Sequence, residues 1–398
     1  MIEYKTIREL CSIVVDCPHS TPKWTEDGKI VVRNNNIKNG RINLTAPSFT
    51  DDEHFRQRIK RAKPQSGDLI ITREAPIGEV GMIPANIECC LGQRMVLLRV
   101  DQSICDNFYL LYSLQSPYVK NQISWSEGTG TTVSNLRIPH LENIKIPYIP
   151  LELQKRVSSV LRVIEEKIFN NSKINENLLQ QALAIYKAWF CDFVLSDGVL
   201  PESWHITTID ALSSLVTRGI APKYDNSSNQ IVLNQKCIRD HTIDVSLARR
   251  HLPKKINEKW VSKGDLLINS TGTGTLGRVA QVWFDANNMT VDSHVTIVRP
   301  KAPILQSYIG FWGLSHESEI EAQHTGSTGQ TELPRDRVKA MELPLPDEDT
   351  LSKFNELVIP MTDAVVSNQK ENAQLSQLRD TLLPKLMSGE IDVAELEL

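Results

Sequence analysis

Residues 146–193 read "IPYIPLELQKRVSSVLRVIEEKIFNNSKINENLLQQALAIYKAWFCDF" and contain the strongest periodicity in the chain. Apolar or amide side chains recur in alternating steps of four and three residues, at Val157, Leu161, Ile164, Ile168, Asn171, Asn175, Leu178, Ala182, Ile185 and Trp189. This spacing is typical of a coiled-coil seam, because it keeps one face of a helix toward a partner helix. The segment therefore predicts a long helix that packs against another helix.

A second seam in the same register lies near the carboxyl end of the sequence. Its members are Phe354, Val358, Met361, Val365, Asn368, Asn372, Leu375, Arg379, Leu382 and Leu386. Both seams carry two Asn at matching places, and a polar seam residue costs stability while fixing register and partner. We therefore expect the two helices to pair with each other, antiparallel, although two unrelated amphipathic core helices would also show this period. Pro360 predicts a kink in the second helix and Pro384 a disturbance of its last turns.

The two halves of the chain are related by an offset of about 197 residues, as expected for a tandem repeat. "SGDLII" (66–71) aligns with "KGDLLI" (263–268), and Leu136 aligns with Leu333. Short β-rich runs such as "RMVLLRV" (94–100), and amphipathic helices at 105–116 and 306–322, precede the long helices. The predicted fold is α+β, with two mixed α/β domains separated by two long helices that form an antiparallel coiled coil with pseudo-two-fold symmetry. The predicted boundaries are 1–150 for the first domain, 151–195 for the first helix, 196–346 for the second domain, and 347–398 for the second helix and tail.

Composition restricts the functional classes only in part. The 398 residues carry a net charge of −4, but basic residues concentrate in "RQRIKRAK" (56–63) and "ARRHLPKK" (248–255), so nucleic-acid binding is not excluded. "MIEYKTIREL" (1–10) lacks the pattern of a secretory signal, and no run of eighteen apolar residues occurs. These features predict a cytoplasmic protein without a membrane segment. The seven cysteines include no C-x-x-C pair, which favours reduced thiols over zinc.

No motif in the sequence predicts catalysis, a cofactor or a metal. "GTGTLGRV" (272–279) approaches a nucleotide phosphate loop, but Arg278 and Val279 stand where Lys and Ser or Thr are required. The sequence contains no Pro-Pro pair, so the Asn/Asp-Pro-Pro-aromatic signature of amino-methyltransferases is absent. "IEEK" (164–167) could end a nuclease motif, yet the heptad register explains it as a solvated helix face.

Polar loops rich in Thr, Ser, Asn, Gln and Gly recur at equivalent places in the two halves. "TREAPIGEVG" (72–81) matches "NSTGTGTLGR" (269–278), and "EGTGTTVSN" (127–135) matches "TGSTGQTE" (325–332). Any one of them could be an ordinary turn, but their joint recurrence favours contacts with phosphates and base edges. The candidate DNA-binding residues are Arg33, Asn35, Thr72, Arg73, Gln93, Arg94, Thr129, Thr131, Thr132, Asn234, Lys236, Asn269, Ser270, Thr273, Ser293, His294, Ser327, Thr328 and Gln330.

Taken together, these features resemble the specificity subunits of type I restriction-modification systems over essentially the whole chain. The resemblance rests on the repeated "SGDLII" and "KGDLLI", the helical join at 146–193 and the ending "LRDTLLPKLMSGEI" (378–391). One departure is "LPDEDTLSKFNELVIPM" (345–361), where the usual Glu-Gln pair is replaced and a proline enters the helix.

The resemblance implies a non-catalytic subunit with two target-recognition domains that read a bipartite site in double-stranded DNA. It also implies that two methyltransferase subunits and the restriction/translocase subunits are partners, and that these partners hold S-adenosylmethionine, ATP and Mg. The rival hypothesis is a self-contained DNA methyltransferase or nuclease with an unrecognised active site. A coiled-coil scaffold without DNA binding is a third.

Overall fold

The computed structural model describes residues 3–124, 135–252, 259–326 and 331–391. Its internal contacts divide the chain into two compact units. Unit 1 comprises Met1–Phe169 with Asn372–Leu398, and unit 2 comprises Asn170–Glu371. Each unit therefore contains one mixed α/β part and a portion of each long helix, whereas the domain boundaries given above remain a prediction.

The mixed part of unit 1 is built from short strands and helices that precede the first long helix. The strands are β1 (Glu3–Thr6), β2 (Cys11–Asp16), β3 (Lys29–Val32), β4 (Ile37–Lys38), β5 (Arg41–Ile42), β6 (Ser48–Thr50), β7 (Leu69–Thr72), β8 (Val80–Met82), β9 (Cys89–Leu91), β10 (Met95–Val100) and β11 (Lys145–Tyr148). The helices are α1 (Ile7–Leu10), α2 (Asp52–Arg58), α3 (Asn107–Gln115), α4 (Pro117–Ser124), α5 (Ile138–Glu142) and the long α6 (Leu151–Phe190).

Unit 2 contains a second set of elements that ends in the second long helix. The strands are β12 (His205–Thr208), β13 (Ser213–Arg218), β14 (Ile231–Leu233), β15 (Ile238–Arg239), β16 (Thr242–Ile243), β17 (Arg249–Arg250), β18 (Leu266–Asn269), β19 (Val279–Gln281), β20 (Met289–Val291), β21 (Val295–Pro300) and β22 (Glu342–Leu345). The helices are α7 (Ile209–Leu212), α8 (Gln306–Ser315), α9 (Glu317–Ala322), α10 (Arg335–Lys339) and the long α11 (Glu348–Ser388).

Sheet topology repeats from one unit to the other. Unit 1 has a four-stranded sheet in the order β2-β10-β7-β8 and a three-stranded sheet in the order β6-β3-β9. Unit 2 has the corresponding orders β13-β21-β18-β19 and β17-β14-β20, so each strand of unit 1 corresponds to the strand eleven places later. In both three-stranded sheets the central strand pairs in parallel with one neighbour and antiparallel with the other. The predicted tandem repeat of a mixed α/β fold is confirmed.

The recurring Gly-Asp pair at the start of β7 and β18 has a structural role. Gly67 and Gly264 adopt positive φ of 85° and 93°, a conformation that favours glycine. The carboxylate of Asp68 then accepts two hydrogen bonds from the Arg99 guanidinium on β10, at 2.9 and 2.8 Å, and these bonds raise the pKa of Arg99. Asp265 binds Arg299 on β21 in the same way in unit 2, at 2.8 and 2.7 Å. The motif therefore fastens two neighbouring strands of each four-stranded sheet.

Both long helices contribute to the apolar core of each unit. In unit 1, Leu161 of α6 and Leu386 of α11 belong to one buried cluster. In unit 2, Tyr186 of α6 and Phe354 of α11 share another cluster. All twenty predicted seam positions are buried or half-buried, which fits the predicted interhelical face. Helix α11 stays helical across both of its prolines.

Polar contacts within each unit show that the helix pair is antiparallel. In unit 1, Arg379 donates to Glu165 at 2.6 Å, and Asn372 donates to the Ile168 carbonyl at 3.3 Å. As the residue number increases on α6, that of its partner on α11 decreases. The predicted antiparallel pairing is confirmed.

Unit 2 shows the same direction and the role of the seam amides. Asn171 donates to Glu371 at 2.7 Å, and Asn368 donates to the Asn175 side-chain oxygen at 2.8 Å. The seam amides therefore bond across the helix pair, with Asn368 on Asn175, Asn171 on Glu371 and Asn372 on the Ile168 carbonyl.

Candidate nucleic-acid interface

In unit 1, four of the polar loops converge on one glutamate, Glu74, just after β7. The Asn34 amide donates to the Glu74 backbone carbonyl at 2.8 Å, and the Asn135 amide donates to its carboxylate at 2.7 Å. The Arg94 Nε lies 3.1 Å from the same carboxylate. Because Asn135 ends the Thr-rich segment 127–135, these contacts bring that segment, the turn after β3, the loop after β7 and the turn before β10 to one place.

Three predicted DNA-binding residues of unit 1 are exposed beside this convergence. Arg33 and Asn35 lie at the turn after β3, and both are exposed. The Arg94 side chain is 55% exposed, and its backbone has a positive φ of 64° at the tight turn before β10. Guanidinium and amide groups in such exposed turns are suited to hydrogen bonds with base edges or phosphates.

The other predicted residues of unit 1 hold the loops in place. Thr72 is fully buried, and its hydroxyl donates to the Pro76 carbonyl at 2.6 Å and accepts from the Glu79 amide at 2.9 Å. Gln93 is half-buried and donates to the His19 carbonyl at 2.5 Å. In this structure, Thr72 therefore has no surface with which to touch a ligand.

Arg73 is also committed to internal contacts. Its guanidinium binds both Asp16 carboxylate oxygens at 3.1 and 3.0 Å and donates to the Leu136 carbonyl at 2.9 Å. Only 12% of the side chain is exposed. Arg73 therefore fastens β7 to β2 and to the chain that follows the Thr-rich segment.

Unit 2 assembles the equivalent loops around Thr271. The Thr271 hydroxyl and the His294 Nδ1 are 2.7 Å apart, and Thr271 forms an antiparallel β-bridge with Glu332. The Asn269 amide donates to the Gln235 carbonyl at 3.0 Å. Four segments therefore meet in unit 2 as their counterparts do in unit 1. They are the loop after β14, the loop after β18, the turn before β21 and the residue Glu332.

Exposure again separates the predicted residues of unit 2. Lys236, Thr273 and His294 are exposed, whereas Asn234 and Ser293 are half-buried. Asn269, the last residue of β18, and Ser270, which follows it, are fully buried. The Ser270 hydroxyl is 2.6 Å from the Thr296 hydroxyl on the adjacent strand β21, and this hydrogen bond attaches the start of the loop to the sheet.

The two interfaces share a framework but present different chemical groups. The Leu136 carbonyl accepts from Arg73 in unit 1, whereas the equivalent Leu333 carbonyl accepts from Arg218 on β13 at 2.9 Å. At the loop ends, the ion pair between Glu74 and Arg94 corresponds to the contact between the Thr271 hydroxyl and the His294 ring. Two domains that bind different sequences would need the same backbone framework with different exposed side chains, as found in these two units.

Sequence reasoning did not identify Glu74, Asn135 or Thr271, although each lies inside or beside a loop that it selected. The usable signal was the alignment of Leu136 with Leu333, since it places Asn135 and Glu332 at equivalent positions. The predicted residues Thr129, Thr131, Thr132, Ser327, Thr328 and Gln330 lie outside the described residues.

The phosphate-loop-like stretch at 272–279 connects the antiparallel strands β18 and β19. It therefore belongs to a β-hairpin, while a phosphate loop runs from a strand into a helix. In the described ranges, no three His, Cys, Asp or Glu side chains are grouped as a metal site would need.

Burial raises the pKa of one carboxyl and two thiols close to the polar loops. Burial raises the pKa of Asp292, whose carboxylate accepts a hydrogen bond from the His294 backbone amide at 2.9 Å. All seven cysteines are free, and burial raises the pKa of Cys89 to about 12 and of Cys90 to about 11. These two thiols are therefore protonated at neutral pH.

Among the described helices, none combines the length and apolar character needed to cross a membrane.

Known proteins share this organisation along the whole chain. The specificity subunit of the type I restriction enzyme MjaIX from Methanocaldococcus jannaschii is 25% identical, over 96% of this chain and 88% of its own length. A putative specificity subunit of the type I enzyme MjaX from the same organism is 21% identical, over 94% and 90%. The crystal structure of a type I S subunit from M. genitalium superposes with a TM-score of 0.60, at 17% identity, over 97% of this chain and 96% of that one.

A family model identifies the domain in the first half of the chain. Residues 2–180 match the type I restriction modification DNA specificity domain. This match covers the interface of unit 1 and most of α6, and the full-length relatives extend the similarity through the repeat in unit 2. Residues 2–180 therefore form a DNA specificity domain of type I restriction modification systems, and the whole chain is similar to type I specificity subunits.

Proposed function

We propose that this chain is a type I specificity subunit that reads a bipartite target in double-stranded DNA, with the loops of unit 1 on one half-site and those of unit 2 on the other. The observation that carries the proposal is the convergence of four polar loops in each unit on the same framework. Direct readout of DNA needs exposed hydrogen-bonding groups that a rigid scaffold holds in fixed positions.

Within this proposal, the exposed residues make the DNA contacts and the buried ones fix the loops. Arg94 is the leading base-contacting candidate of unit 1, because an arginine can bond guanine O6 and N7 together. His294 occupies the equivalent place in unit 2. Thr72, Asn269 and Ser270 act through the loops that they support. The Thr-rich segments 127–135 and 325–332 supply further phosphate contacts.

The chain also serves as the assembly subunit of the complex. Its relatives are named specificity subunits of type I restriction enzymes, which supports a non-catalytic role. On this proposal, the subunit docks two methyltransferase subunits and the restriction/translocase subunits. S-adenosylmethionine, ATP and Mg act on those partners.

Methylation mapping tests the proposal. Methylated adenines are mapped across the host genome with the native gene, without it, and with an Arg94→Ala version. We expect one split motif to lose methylation without the gene, and the Arg94→Ala version to methylate a family of sites that differ at one position of one half-site. Unchanged methylation in the deletion strain would refute the proposal, and methyl transfer by the isolated chain would favour the rival enzyme.

A further inference from the structure

An exposed aromatic side chain stands at the same place in both units. "TPKW" (21–24) in unit 1 corresponds to "APKY" (221–224) in unit 2, and each stretch lies between the first strand of the four-stranded sheet and the central strand of the three-stranded sheet. Trp24 is 45% exposed and Tyr224 is 44% exposed. Large aromatic side chains with half of their surface in water are candidates for binding a ligand.

A guanidinium lies over each of these rings. The Arg33 Cζ is 5.1 Å from the Trp24 ring centroid, and the Arg249 Cζ is 3.4 Å from the Tyr224 ring centroid. Both distances are in the range of a cation–π contact. Arg33 and Arg249 are themselves exposed, so each pair forms a solvent-facing platform.

The two arginines come from different positions of the repeated fold. Arg33 follows the central strand β3, whereas Arg249 lies on the edge strand β17 and pairs with Val232. The position equivalent to Arg249 in unit 1 is Ser48, which pairs with Val31. Each unit therefore has an arginine over its exposed aromatic ring, but the two arginines occupy non-equivalent positions in the repeat. The repeated fold alone does not explain why both rings carry an arginine, because it does not place an arginine at the same position in both units.

The chemistry of the platforms fits a phosphodiester backbone. A guanidinium held over a ring by a cation–π contact keeps N–H groups at its edge that can still donate to phosphate oxygens. A lysine precedes each aromatic residue, and Lys23 and Lys223 are exposed. Lys23 also pairs with Asp51 at 3.4 Å, a carboxylate whose pKa the hydrogen bond from the His54 backbone amide lowers to about 2.

Each platform adjoins the polar loops of its own unit. In unit 1, Arg33 directly precedes Asn34, whose amide binds Glu74. In unit 2, the Asn234 amide donates at 3.2 Å to the Leu247 carbonyl, two residues before Arg249. A DNA duplex held by the loops would therefore pass close to the platform of the same unit.

We infer that Trp24–Arg33 and Tyr224–Arg249 are sequence-independent anchors, one in each unit, that hold the sugar–phosphate backbone of duplex DNA beside the base-reading loops. The inference rests on the proposed function. The anchors supply affinity and register, whereas discrimination between bases stays with the loops.

Binding of the full-length protein, purified with its native partners, to a target duplex and to a mixed-sequence duplex tests the anchors. Arg33→Ala and Arg249→Ala should each weaken binding to both duplexes roughly 3- to 10-fold, the size of one ordinary hydrogen bond. The slope of log K against log salt should become shallower by about 0.9 for each lost phosphate contact. Trp24→Leu and Tyr224→Leu keep the charge, so they should weaken both complexes without changing that slope.

Two exposed side chains away from the platforms give matched controls. Arg335 is 57% exposed and lies on α10, and Tyr118 is 43% exposed and packs on Tyr4 instead of a guanidinium. Arg335→Ala and Tyr118→Ala should leave both affinities unchanged. Melting temperatures identify any variant that fails to fold, and Arg33→Gln and Arg249→Gln then replace the alanine variants.

The outcomes separate this inference from the proposed function. Platform variants that bind both duplexes as tightly as the controls do would overturn the anchors while leaving target reading intact. A loss confined to the target duplex would also overturn them, since it would assign the platforms to base reading. If the unsubstituted protein bound neither duplex, the proposed function itself would fail.

Discussion

At the scale of single residues, the candidate interface combines side chains that are largely exposed with side chains that are buried in internal contacts. Arg94 and Arg73 show the difference, although both are arginines in polar loops of unit 1. The Arg94 side chain is 55% exposed, whereas Arg73 is 12% exposed and binds Asp16. The same residue type is therefore exposed in one loop, where we propose that it reads DNA, and buried as a support in the neighbouring loop.

Arg94→Ala is expected to relax base discrimination. Loss of a bidentate contact should cost roughly 1–3 kcal/mol at one base pair, while the melting temperature stays close to that of the unsubstituted protein. Competition binding with duplexes substituted at each target position measures this effect. A uniform loss across all positions would instead assign Arg94 to the phosphate backbone.

Arg73→Ala should act on stability. Removing the guanidinium leaves the nearly buried Asp16 carboxylate without its arginine, and breaking a buried pair costs about 3 kcal/mol. Chemical denaturation followed by tryptophan fluorescence measures the loss, and Arg73→Lys serves as the control that keeps the charge. Native stability with altered base preference would show that Arg73 contacts DNA.

At the scale of elements, the helix pair uses amides where apolar residues would be more stable. Asn175 and Asn368 meet at 2.8 Å in the seam of unit 2. Polar seam residues select one register, because any shifted pairing leaves them against apolar neighbours. The helix pair thereby gains a defined alignment at some cost in stability.

Replacing both Asn175 and Asn368 with Leu should raise the thermal midpoint and loosen this alignment. The apolar pair would stabilise the seam, but it would no longer penalise shifted or intermolecular pairing. Thermal denaturation and size-exclusion chromatography report the two effects, and Asn177→Leu, on the exposed face of α6, is the control. Lower stability with unchanged assembly would contradict the role given to the amides.

Regular elements were predictable because their signals are local. The run 94–100 predicts a strand that the structure places at Met95–Val100, and 105–116 contains the helix Asn107–Gln115. The segment 306–322 forms two helices that meet at His316, a break that its apolar spacing does not reveal. In the interface, the loops were predictable but their exposed members were not. The burial of Ser270, for example, depends on Thr296, 26 residues away.

At the scale of the whole molecule, the tandem repeat duplicates a scaffold and lets its exposed groups diverge. Each strand of unit 1 has its counterpart in unit 2, and the Asp–Arg pairs that fasten the sheets are kept. The groups at the loop ends are not kept, as Glu74 with Arg94 and Thr271 with His294 show. One fold can therefore serve two half-sites of unrelated sequence.

The isolated chain should neither methylate nor cut DNA. Its sequence has no Pro-Pro pair, so it lacks the signature that holds a target amine for methyl transfer. Radiolabelled S-adenosylmethionine and a plasmid-cleavage assay test this with the purified chain, and the reconstituted complex is the positive control. Methyl transfer by the partner-free chain would contradict this prediction and favour the hypothesis of a self-contained DNA methyltransferase.

The two interfaces should contribute independently to recognition, since they belong to different compact units. Arg94→Ala should relax only one half-site and His294→Ala only the other, by roughly 1–3 kcal/mol at the base pair concerned. Distant sites without shared partners add within about 0.5 kcal/mol, so the double variant should lose the sum of the two single losses. Competition binding of all three variants to duplexes altered in either half-site measures this additivity. A double variant that loses far more or far less than the sum would mean that the half-sites are read as one coupled unit.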